Sequence, residues 1–445
     1  MIWVEKMESY HNFHFNNSSK LEDIPSKSIH LVVTSPPYPM IEMWDELFSN
    51  LNSDIDISLK NYEGKKAFEL MHRVLNEIWE ELDRVVVDGG IICINIGDAT
   101  RKIGDIFELY PNHIKIVDFF INKGYSTLPC IIWRKQSNKP NKFMGSGMLP
   151  PCAYVTLEHE YILIFRKGNN RKFATIEADR RRESAFFWEE RNNWFSDIWF
   201  DLKGISQDLL DPDTRRRSAA FPFELAYRLI NMFSIMGDNI LDPFLGTGTT
   251  SLAAMCSGRN SWGYEMDPNF LNIISQRMNN AKKFQNKLIF DRLQKHVDFI
   301  QKRESNGKET KYFSKRYNFP VITSQETEIC LPLIDEIIFL DKSLIQVTYQ
   351  KNCDMCFTND KTIKIVSFSK KPEKIMSIDS FILTRSLTII SASVSFHIFL
   401  ISLVTYYSYT YKYILLIKHH RVKKLDGIVV YPIPGKSRLI RFRAT

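Results

Sequence analysis

The segment that most constrains the fold is Leu241-Asp-Pro-Phe-Leu-Gly-Thr-Gly-Thr-Thr250, where a short apolar run leads into a glycine turn and then a helical pattern. Gly246 and Gly248 allow the backbone to approach a ligand closely, and the following helix begins with unpaired N–H groups. Glu265 comes after the next predicted strand, about 20 residues further on, where an acidic side chain can accept hydrogen bonds from a ribose. This strand–turn–helix–strand unit predicts a doubly wound α/β fold and a nucleoside ligand.

The glycine turn departs from the dinucleotide-binding pattern, because Thr250 or Ser251 stands near the position of the third glycine. The departure favours a nucleoside that carries an amino-acid tail over a pyrophosphate, and S-adenosylmethionine is such a ligand. A tight turn without a ligand is the alternative for any isolated Gly-x-Gly. Asp242 before the turn and Glu265 after it favour the ligand-binding interpretation.

The chain of 445 residues divides into four zones. Residues 1–135 and 219–285 alternate predicted strands and helices in the order typical of a doubly wound, mostly parallel sheet. Residues 136–218 are irregular and rich in arginine and aromatic residues, with one core strand expected near 158–166. Residues 286–445 carry no motif that indicates chemistry, and they are predicted to form a C-terminal extension.

Apolar patterning places the elements of the first zone. Short apolar runs predict buried strands at 29–34, 91–96 and 127–133. Apolar residues at helical spacing predict a helix over 66–87, and a further helix is expected around 105–123.

The strand at 29–34 ends in the motif Thr34-Ser-Pro-Pro-Tyr38. Two consecutive prolines stiffen the backbone and remove two N–H donors, so the carbonyls act as acceptors only. Ser35 adds a hydroxyl group and Tyr38 adds a flat ring. Acceptors beside an aromatic plate suit the exocyclic amino group of a planar base, whereas a rigid exit from a strand is the alternative for this motif alone.

Together, Thr34-Ser-Pro-Pro-Tyr38 and Asp242-Pro-Phe-Leu-Gly-Thr-Gly-Thr-Thr250 resemble the motifs of the DNA amino-methyltransferases, which modify cytosine N4 or adenine N6. The order, with the catalytic loop before the cofactor loop, is similar to the permuted β class of that family. Other segments resemble its core elements in the same order, namely Ile94-Asn-Ile-Gly-Asp98, Ile132-Trp-Arg-Lys135, 159–168, 220–226 and Gly263-Tyr-Glu-Met-Asp267.

The resemblance covers roughly residues 20–285 and implies an S-adenosylmethionine-dependent methyltransferase fold, circularly permuted, with a target-recognition region inserted at 136–218. In this family fold the strand before Ser35 lies beside the strand before Asp242. The two loops are therefore expected to meet outside the carboxyl ends of neighbouring strands.

The resemblance also implies roles for individual residues. Ser35, Pro36, Pro37 and Tyr38 would be catalytic: the Ser35 hydroxyl and the Pro36 carbonyl would accept the amino hydrogens, and Tyr38 would stack on a base flipped out of the duplex. The implied cofactor-binding residues are Asp242, Pro243, Phe244, Gly246, Gly248, Thr249, Thr250, Glu265 and Asp267, with Phe221 and Pro222 as walls of the pocket.

Serine at the first position of the catalytic motif goes mostly with cytosine N4 in this family, and aspartate mostly with adenine N6. The sequence therefore favours a site-specific cytosine-N4 methyltransferase acting on double-stranded DNA, with adenine N6 as the alternative. A non-catalytic protein of the same fold that binds cofactor and nucleic acid is a second alternative. Residues 35–45 and 143–150 resemble a subgroup of restriction-linked methylases that recognise CTAG, so a cognate restriction endonuclease is expected as a functional partner.

The formal net charge of +8 permits a polyanionic partner without demonstrating one. DNA contacts are expected from basic residues of the target-recognition region, where acidic residues interleave with them and a solvated, salt-bridged surface is the alternative. These basic residues are Arg166, Lys167, Arg171, Lys172, Arg180, Arg181, Arg182, Arg215, Arg216 and Arg217.

Seven cysteines are too few for a disulfide scaffold and the N-terminus shows no secretory signal, so a cytoplasmic location is expected. Pro129-Cys130 and Pro151-Cys152 do not follow a glycine-rich cofactor loop, which argues against cytosine-C5 methylation. Cys353 and Cys356 have no second ligand pair nearby, so no metal is expected. The uncharged run 386–411 is long enough to span a bilayer, but buried strands are favoured, and a tail without a native counterpart is a third possibility.

Overall fold

The computed structural model describes residues 7–135, 144–202 and 221–350, and the backbone of two further strands in 354–366. The strands are β1 (Met7–His14), β2 (Ile29–Thr34), β3 (Val86–Ile96), β4 (Ala99–Ile103), β5 (Ile106–Tyr110), β6 (Ser126–Arg134), β7 (Met144–Gly145), β8 (Ala153–Tyr154), β9 (His159–Arg166), β10 (Ile198–Trp199), β11 (Asn239–Asp242), β12 (Asn260–Tyr264), β13 (Tyr312–Phe313), β14 (Pro320–Val321), β15 (Leu333–Phe339), β16 (Leu344–Gln350), β17 (Asp354–Phe357) and β18 (Ile363–Val366). The α-helices are α1 (Asp45–Leu51), α2 (Ser53–Lys60), α3 (Gly64–Val85), α4 (Asn112–Asn122), α5 (Thr175–Glu183), α6 (Trp188–Trp194), α7 (Phe223–Phe233), α8 (Thr249–Cys256), α9 (Phe270–Asn279) and α10 (Ala281–Ser305).

The chain divides into two compact units, Met1–Phe368 and Ser369–Thr445. All the described elements belong to the first unit. The second unit, which contains the uncharged run 386–411, lies outside the described residues.

Ten of the described strands form one sheet in the order β10-β6-β9-β3-β2-β11-β12-β1-β16-β15. The strands β3, β2, β11, β12 and β1 are parallel to one another, and β6 and β10 run in the same direction. The strands β9 and β16 run antiparallel to both of their neighbours. This arrangement confirms the predicted α/β class with a mostly parallel sheet.

Strand β2 occupies the centre of this sheet, between β3 and β11. Leu31 pairs with Ile91 on one side and with Ile240 on the other. Because these strands are parallel, Thr34 at the end of β2 and Asp242 at the end of β11 lie at the same edge, which we call the carboxyl edge of the sheet. The strand before Ser35 thus lies beside the strand that ends at Asp242, as the resemblance implies.

Helices cover both faces of the sheet because alternate residues of a strand point to opposite sides. Val32 packs with the buried side of α3, where Met71, Leu75 and Trp79 recur at helical spacing. Leu31 and Val33 point to the other face and pack with residues of α7 and α8. Burying a large apolar side chain contributes about 1.5–3 kcal/mol, so these two layers fix the position of β2 and of the motif that follows it.

The predicted helix around 105–123 is wrong in its first part. Strands β4 and β5 form a hairpin there, with Gly104 in the turn at a positive φ of 59°. Pro111 stands immediately before α4, which therefore begins at Asn112. The predicted helix over 66–87 ends at Val85, where two further valines begin β3.

Part of the predicted C-terminal extension belongs to the central sheet. Strand β16 pairs antiparallel with β1, and β15 continues the sheet beyond it. The N-terminal strand β1 thus connects the parallel centre to residues 333–350. The zone boundaries at 135, 218 and 285 stay predictions.

Candidate active site

A cavity of about 770 Å³ opens at the carboxyl edge of the sheet. Ser35, Pro36 and Pro37 from the loop after β2 line one part of it. The remaining wall includes residues from the loop after β11 and from the turn after β12, namely Asp242, Pro243, Phe244, Gly246, Thr249, Glu265 and Asp267, together with Phe221. Two loops that are distant in sequence therefore share one cavity.

Asp242 joins the two loops. Its Oδ1 accepts a hydrogen bond from Thr34 Oγ1 at 2.7 Å, and its Oδ2 accepts one from Thr250 Oγ1 at 2.7 Å. The backbone N–H of Phe244 also donates to Oδ1, at 3.1 Å. The side chain is almost fully buried, and burial raises the pKa of Asp242 to about 6 although these hydrogen bonds favour the ionised form. Asp242 is thus both a cavity wall and the buried link between the loop after β2 and the start of α8.

The two glycines of the turn have different structural roles. Both have positive φ, 52° at Gly246 and 77° at Gly248. A Cβ atom at Gly246 would meet open space, whereas one at Gly248 would lie 3.2 Å from Met278 Cε. Gly246 therefore leaves room for a ligand, and Gly248 permits close packing of the turn against α9.

Glu265 fixes the turn from the side of β12. Its Oε2 accepts from the backbone N–H of Gly246 at 2.8 Å, and its Oε1 accepts from that of Asp267 at 2.9 Å. Burial raises the pKa of this carboxyl group. Each carboxylate oxygen can accept more than one hydrogen bond, so Glu265 retains the capacity to bind hydroxyl groups in the cavity.

The structure does not place every predicted cofactor residue on the cavity wall. Thr250 directs its hydroxyl at Asp242, and Gly248 faces α9. Pro222 is the N-cap residue of α7. Among the described residues these three are not cavity-lining, and their link to the site is through the residues they support.

Tyr38 lies in a hydrogen-bonded network behind Ser35. Its hydroxyl donates to Glu160 Oε2 at 2.9 Å and accepts from Asn95 Nδ2 at 2.8 Å and from Ser35 Oγ at 3.1 Å. Burial and the nearby Glu160 charge raise the pKa of Tyr38 well above its usual value, so the phenol keeps its proton. Its ring lies against Gly97, where a Cβ atom would come within 3.0 Å of Tyr38 Cε2. Tyr38 is not among the residues that line the cavity, and stacking on a base stays a prediction.

Sequence reasoning missed the polar residues that support both loops. Asn95 and Glu160 interrupt the apolar runs of β3 and β9, and polar residues at such positions are a usable signal for buried polar networks. Lys135, just after β6, donates to Glu160 Oε1 at 2.7 Å. Arg277 in α9 donates to the carbonyl oxygen of Thr247 at 2.8 Å and so also holds the glycine turn.

Those basic residues predicted to contact DNA that the structure describes are not among the residues that line this cavity. Strand β9 is antiparallel to β3, so its first residues pair with the carboxyl end of β3, whereas Arg166 at its end pairs with Ile91 in the middle of β3 and leads away from the carboxyl edge. Arg171 forms a 2.7 Å ion pair with Asp238, which precedes β11, and Lys167 lies 3.1 Å from Asp83.

Arg171, Lys172, Arg181 and Arg182 border a separate cleft of about 1450 Å³ that also includes His30 from the beginning of β2. Arg180 points at Gly237, next to the same edge. The structure therefore does not bring this basic set together with Ser35. DNA contact by these side chains stays a prediction, and Arg215, Arg216 and Arg217 lie outside the described residues.

One group of possible metal ligands occurs among the described residues, formed by Glu189, His296 and Glu326. Both ring nitrogens of His296 already have partners, Glu189 at 2.8 Å and the carbonyl oxygen of Pro320 at 3.0 Å. A ring nitrogen that donates to a carbonyl oxygen has no lone pair for a metal. The side chains of Cys353 and Cys356 are outside the described part of the chain.

In the ranges that the structure describes, none of the helices combines the length and the apolar character needed to cross a membrane.

Comparison with known proteins places the chain among DNA methylases. Residues 29–276 match the model of the N6_N4_Mtase family, described as DNA methylase. The type II methyltransferase M.MthZI of Methanothermobacter thermautotrophicus is 59% identical over 327 residues, which is 73% of this chain and 91% of that protein. The type II methyltransferase M.MjaI of Methanocaldococcus jannaschii is 52% identical over 284 residues, 61% of this chain and 92% of that protein.

Among solved structures, a putative DNA modification methylase from Thermus thermophilus, complexed with S-adenosyl-L-methionine, is 30% identical. The match covers 61% of this chain and 95% of that chain, with a TM-score of 0.47. The family match spans more than half of the chain and includes both loops of the cavity. The chain is therefore a member of the N6_N4_Mtase family of DNA methylases.

Proposed function

We propose that this DNA methyltransferase transfers the methyl group of S-adenosylmethionine to N4 of cytosine in double-stranded DNA. The observation that supports the proposal best is the shared cavity, which is lined by both the acceptor loop at Ser35 and the glycine turn at Gly246. A transfer between two substrates needs both reacting groups in one site, held in line.

The cavity fits S-adenosylmethionine, which is the methyl donor. Its volume lies within the range of about 300–1,000 Å³ that is usual for ligand pockets. The open space beside Gly246 admits a ligand, and Glu265 would bind the ribose hydroxyl groups. Asp242 would supply negative charge for the ammonium group of the methionine end. The bound donor supplies an electrophilic methyl group on a sulfonium centre.

The catalytic task of the protein is to make a poor nucleophile reactive. The lone pair of the cytosine amino group is delocalised into the ring. Hydrogen bonds from that amino group to Ser35 Oγ and to the Pro36 carbonyl would localise the lone pair on nitrogen. The target base must leave the duplex to reach these acceptors, as for other enzymes that act on bases. Positioning and preorganised acceptors then carry the rate enhancement, and no covalent enzyme intermediate is needed.

The choice of cytosine over adenine depends on Ser35, because serine at this position of the motif goes mostly with cytosine N4 in the resembling family. We also propose CTAG as the recognised sequence, which residues 35–45 and 143–150 support by their resemblance to the CTAG subgroup. Methylation of such sites in the cytoplasm would protect DNA from a cognate restriction endonuclease.

Methylation of an unmethylated plasmid tests the base assignment. After incubation with the full chain and S-adenosylmethionine, the DNA is digested to nucleosides and separated by mass spectrometry. We expect N4-methylcytosine, and N6-methyladenine would instead establish the alternative. Loss of the product in a Ser35→Ala variant serves as the control for a contaminating enzyme.

A second plasmid, in which each CTAG is changed to CTTG, tests the recognised sequence. We expect methylation of the parent plasmid and none of the altered plasmid. Equal methylation of the two would refute CTAG and leave the base assignment intact.

A further inference from the structure

The hydrogen bonds of the network behind Ser35 have a defined direction. Glu160 is buried and its carboxylate can only accept hydrogen bonds. Oε1 accepts from Lys135 Nζ at 2.7 Å, and Oε2 accepts from Asn95 Nδ2 at 2.7 Å and from the Tyr38 hydroxyl at 2.9 Å. Glu160 is therefore the acceptor that sets the direction of the hydrogen bonds in the network.

Asn95 links Glu160 to Tyr38 and donates a hydrogen bond to each of them. Its amide nitrogen lies 2.7 Å from Glu160 Oε2, a distance at which an amide oxygen would be repelled. The same nitrogen lies 2.8 Å from the Tyr38 oxygen, so its two hydrogens serve these two partners. Tyr38 cannot donate to a nitrogen that only donates, and its hydroxyl donates to Glu160 Oε2 at 2.9 Å, a shorter distance than the 3.1 Å to Ser35 Oγ.

Ser35 is the last member of this series of hydrogen bonds. The Tyr38 hydroxyl keeps its proton and directs it at Glu160, and its oxygen accepts from Asn95, so toward Ser35 Oγ at 3.1 Å this oxygen acts only as an acceptor. The hydroxyl proton of Ser35 is thereby engaged in the hydrogen bond to Tyr38. Both lone pairs of Ser35 Oγ are left for donors that enter the cavity.

We infer that Glu160 is a positioning residue that acts through Tyr38 to make Ser35 Oγ an obligate acceptor toward the target base. The inference rests on the proposed function, because the group received is the exocyclic amino group of that base. An amino group can donate a hydrogen bond to Ser35 Oγ. A carbonyl oxygen in the same place would be repelled, because it would meet the lone pairs of Ser35 Oγ and find no proton. The network thus selects bases with an amino group at the reacting position and rejects their carbonyl counterparts.

Glu160→Met tests the inference because it removes the terminal acceptor while keeping an unbranched side chain. Asn95 still donates to the Tyr38 oxygen, so the phenol proton has only Ser35 Oγ to bind. Ser35 then turns its own proton toward the cavity. We expect kcat on plasmid DNA to fall about 10- to 100-fold, the usual effect of a misdirected buried hydrogen bond, with the KM for S-adenosylmethionine within about threefold of wild type.

Glu160→Gln is the conservative rescue. The amide oxygen can still accept from Tyr38 and Asn95, because the half-exposed Lys135 can turn to solvent. We expect kcat within about threefold of wild type. A Glu160→Gln variant as slow as Glu160→Met would overturn the inference, since acceptor geometry would then not be the cause.

Tyr38→Phe keeps the ring and removes the hydroxyl through which Glu160 acts. We expect Tyr38→Phe to be slow by itself and Tyr38→Phe/Glu160→Met to be no slower than about twofold below it. If the fold-losses in kcat of the two single variants multiply in the double variant, the inference is overturned. If Glu160→Met alone folds poorly, the kcat of Tyr38→Phe still tests the role of the hydroxyl group. Wild type that methylates no DNA would refute the proposed function, whereas active wild type with equally active Glu160→Met would refute only the role of Glu160.

Discussion

Replacing Asp242 with asparagine should stabilise the folded protein while weakening its hold on the cofactor. A pKa difference of one is worth about 1.4 kcal/mol, so a rise from 3.8 to about 6 means that ionised Asp242 costs the folded state about 3 kcal/mol at pH 7. Asparagine removes this charge and keeps an oxygen for Thr34 and for the Phe244 N–H. Thr250 can turn its proton to the Val33 carbonyl oxygen, 3.1 Å away, and accept from the new amide.

We therefore expect the free energy of unfolding of Asp242→Asn to exceed that of wild type by about 1–3 kcal/mol at pH 7.5 without cofactor. The sign with pH follows from the raised folded-state pKa of Asp242. The folded wild type binds the proton more tightly than the unfolded chain, so its stability rises as pH falls through 6 toward 4. The advantage of the variant should shrink to roughly half at pH 5.

Urea unfolding of both proteins, followed by tryptophan fluorescence at pH 7.5 and pH 5, measures this difference. Titration calorimetry with S-adenosylmethionine should show affinity at least about fivefold weaker, because a charged partner of the ammonium group is lost. A variant that is less stable than wild type at pH 7.5, or whose advantage does not change with pH, would refute the electrostatic reasoning. Unchanged cofactor binding would refute the assignment of Asp242 to the pocket.

Three further variants test the two loops. Ser35→Ala should lower the methylation rate by at least about 100-fold and leave cofactor affinity within about twofold, because it removes an acceptor for the base only; a calorimetric loss of cofactor binding would contradict this separation. Glu265→Ala should weaken cofactor binding about tenfold or more, since the ribose acceptor and the tie to Gly246 disappear together, and an unchanged Kd would exclude Glu265 from the site. Arg277→Met should lower the free energy of unfolding by about 1–2 kcal/mol and weaken cofactor binding several-fold, because the hydrogen bonds from Arg277 to Thr247 hold the glycine turn. An unaltered Kd for the cofactor would show that the turn keeps its shape without these hydrogen bonds.

The central strands and the two loops were accessible from sequence because their patterns are local. Apolar runs that end in turn residues gave the strands at 29–34 and 239–242, and the glycine turn between a strand and a helix is defined by neighbouring residues. That these two strands are neighbours came from the resemblance to a known family, because no local pattern specifies which strands pair.

Strand β1 was not predicted because some of its buried positions carry polar residues, so the apolar alternation of a strand is absent. Ser9 and His11 are fully buried on β1, where Ser9 Oγ lies 2.8 Å from the Tyr349 hydroxyl and His11 Nδ1 lies 2.8 Å from Ser261 Oγ. Burial lowers the pKa of His11 to about 3, so the ring is neutral. A sequence pattern counts such residues as polar and exposed, because their partners are distant in the chain.

The basic residues after β9 show a different limit. Composition indicated a basic set around Arg180, but the edge of the sheet on which these residues lie depends on the direction of β9. Because β9 is antiparallel to β3, the described basic residues that follow β9 lie away from the loop at Ser35. The polar network at Glu160 was missed for a related reason, since its members come from four separate segments.

A crystal structure of the full chain with S-adenosylmethionine bound is the most direct test of whether the loops at Ser35 and Gly246 form one methyl-transfer site. We expect the ribose hydroxyl groups within hydrogen-bonding distance of the Glu265 carboxylate, and the sulfonium methyl group directed toward Ser35. A ligand bound outside this cavity, or one whose methyl group faces away from Ser35, would contradict the proposed mechanism.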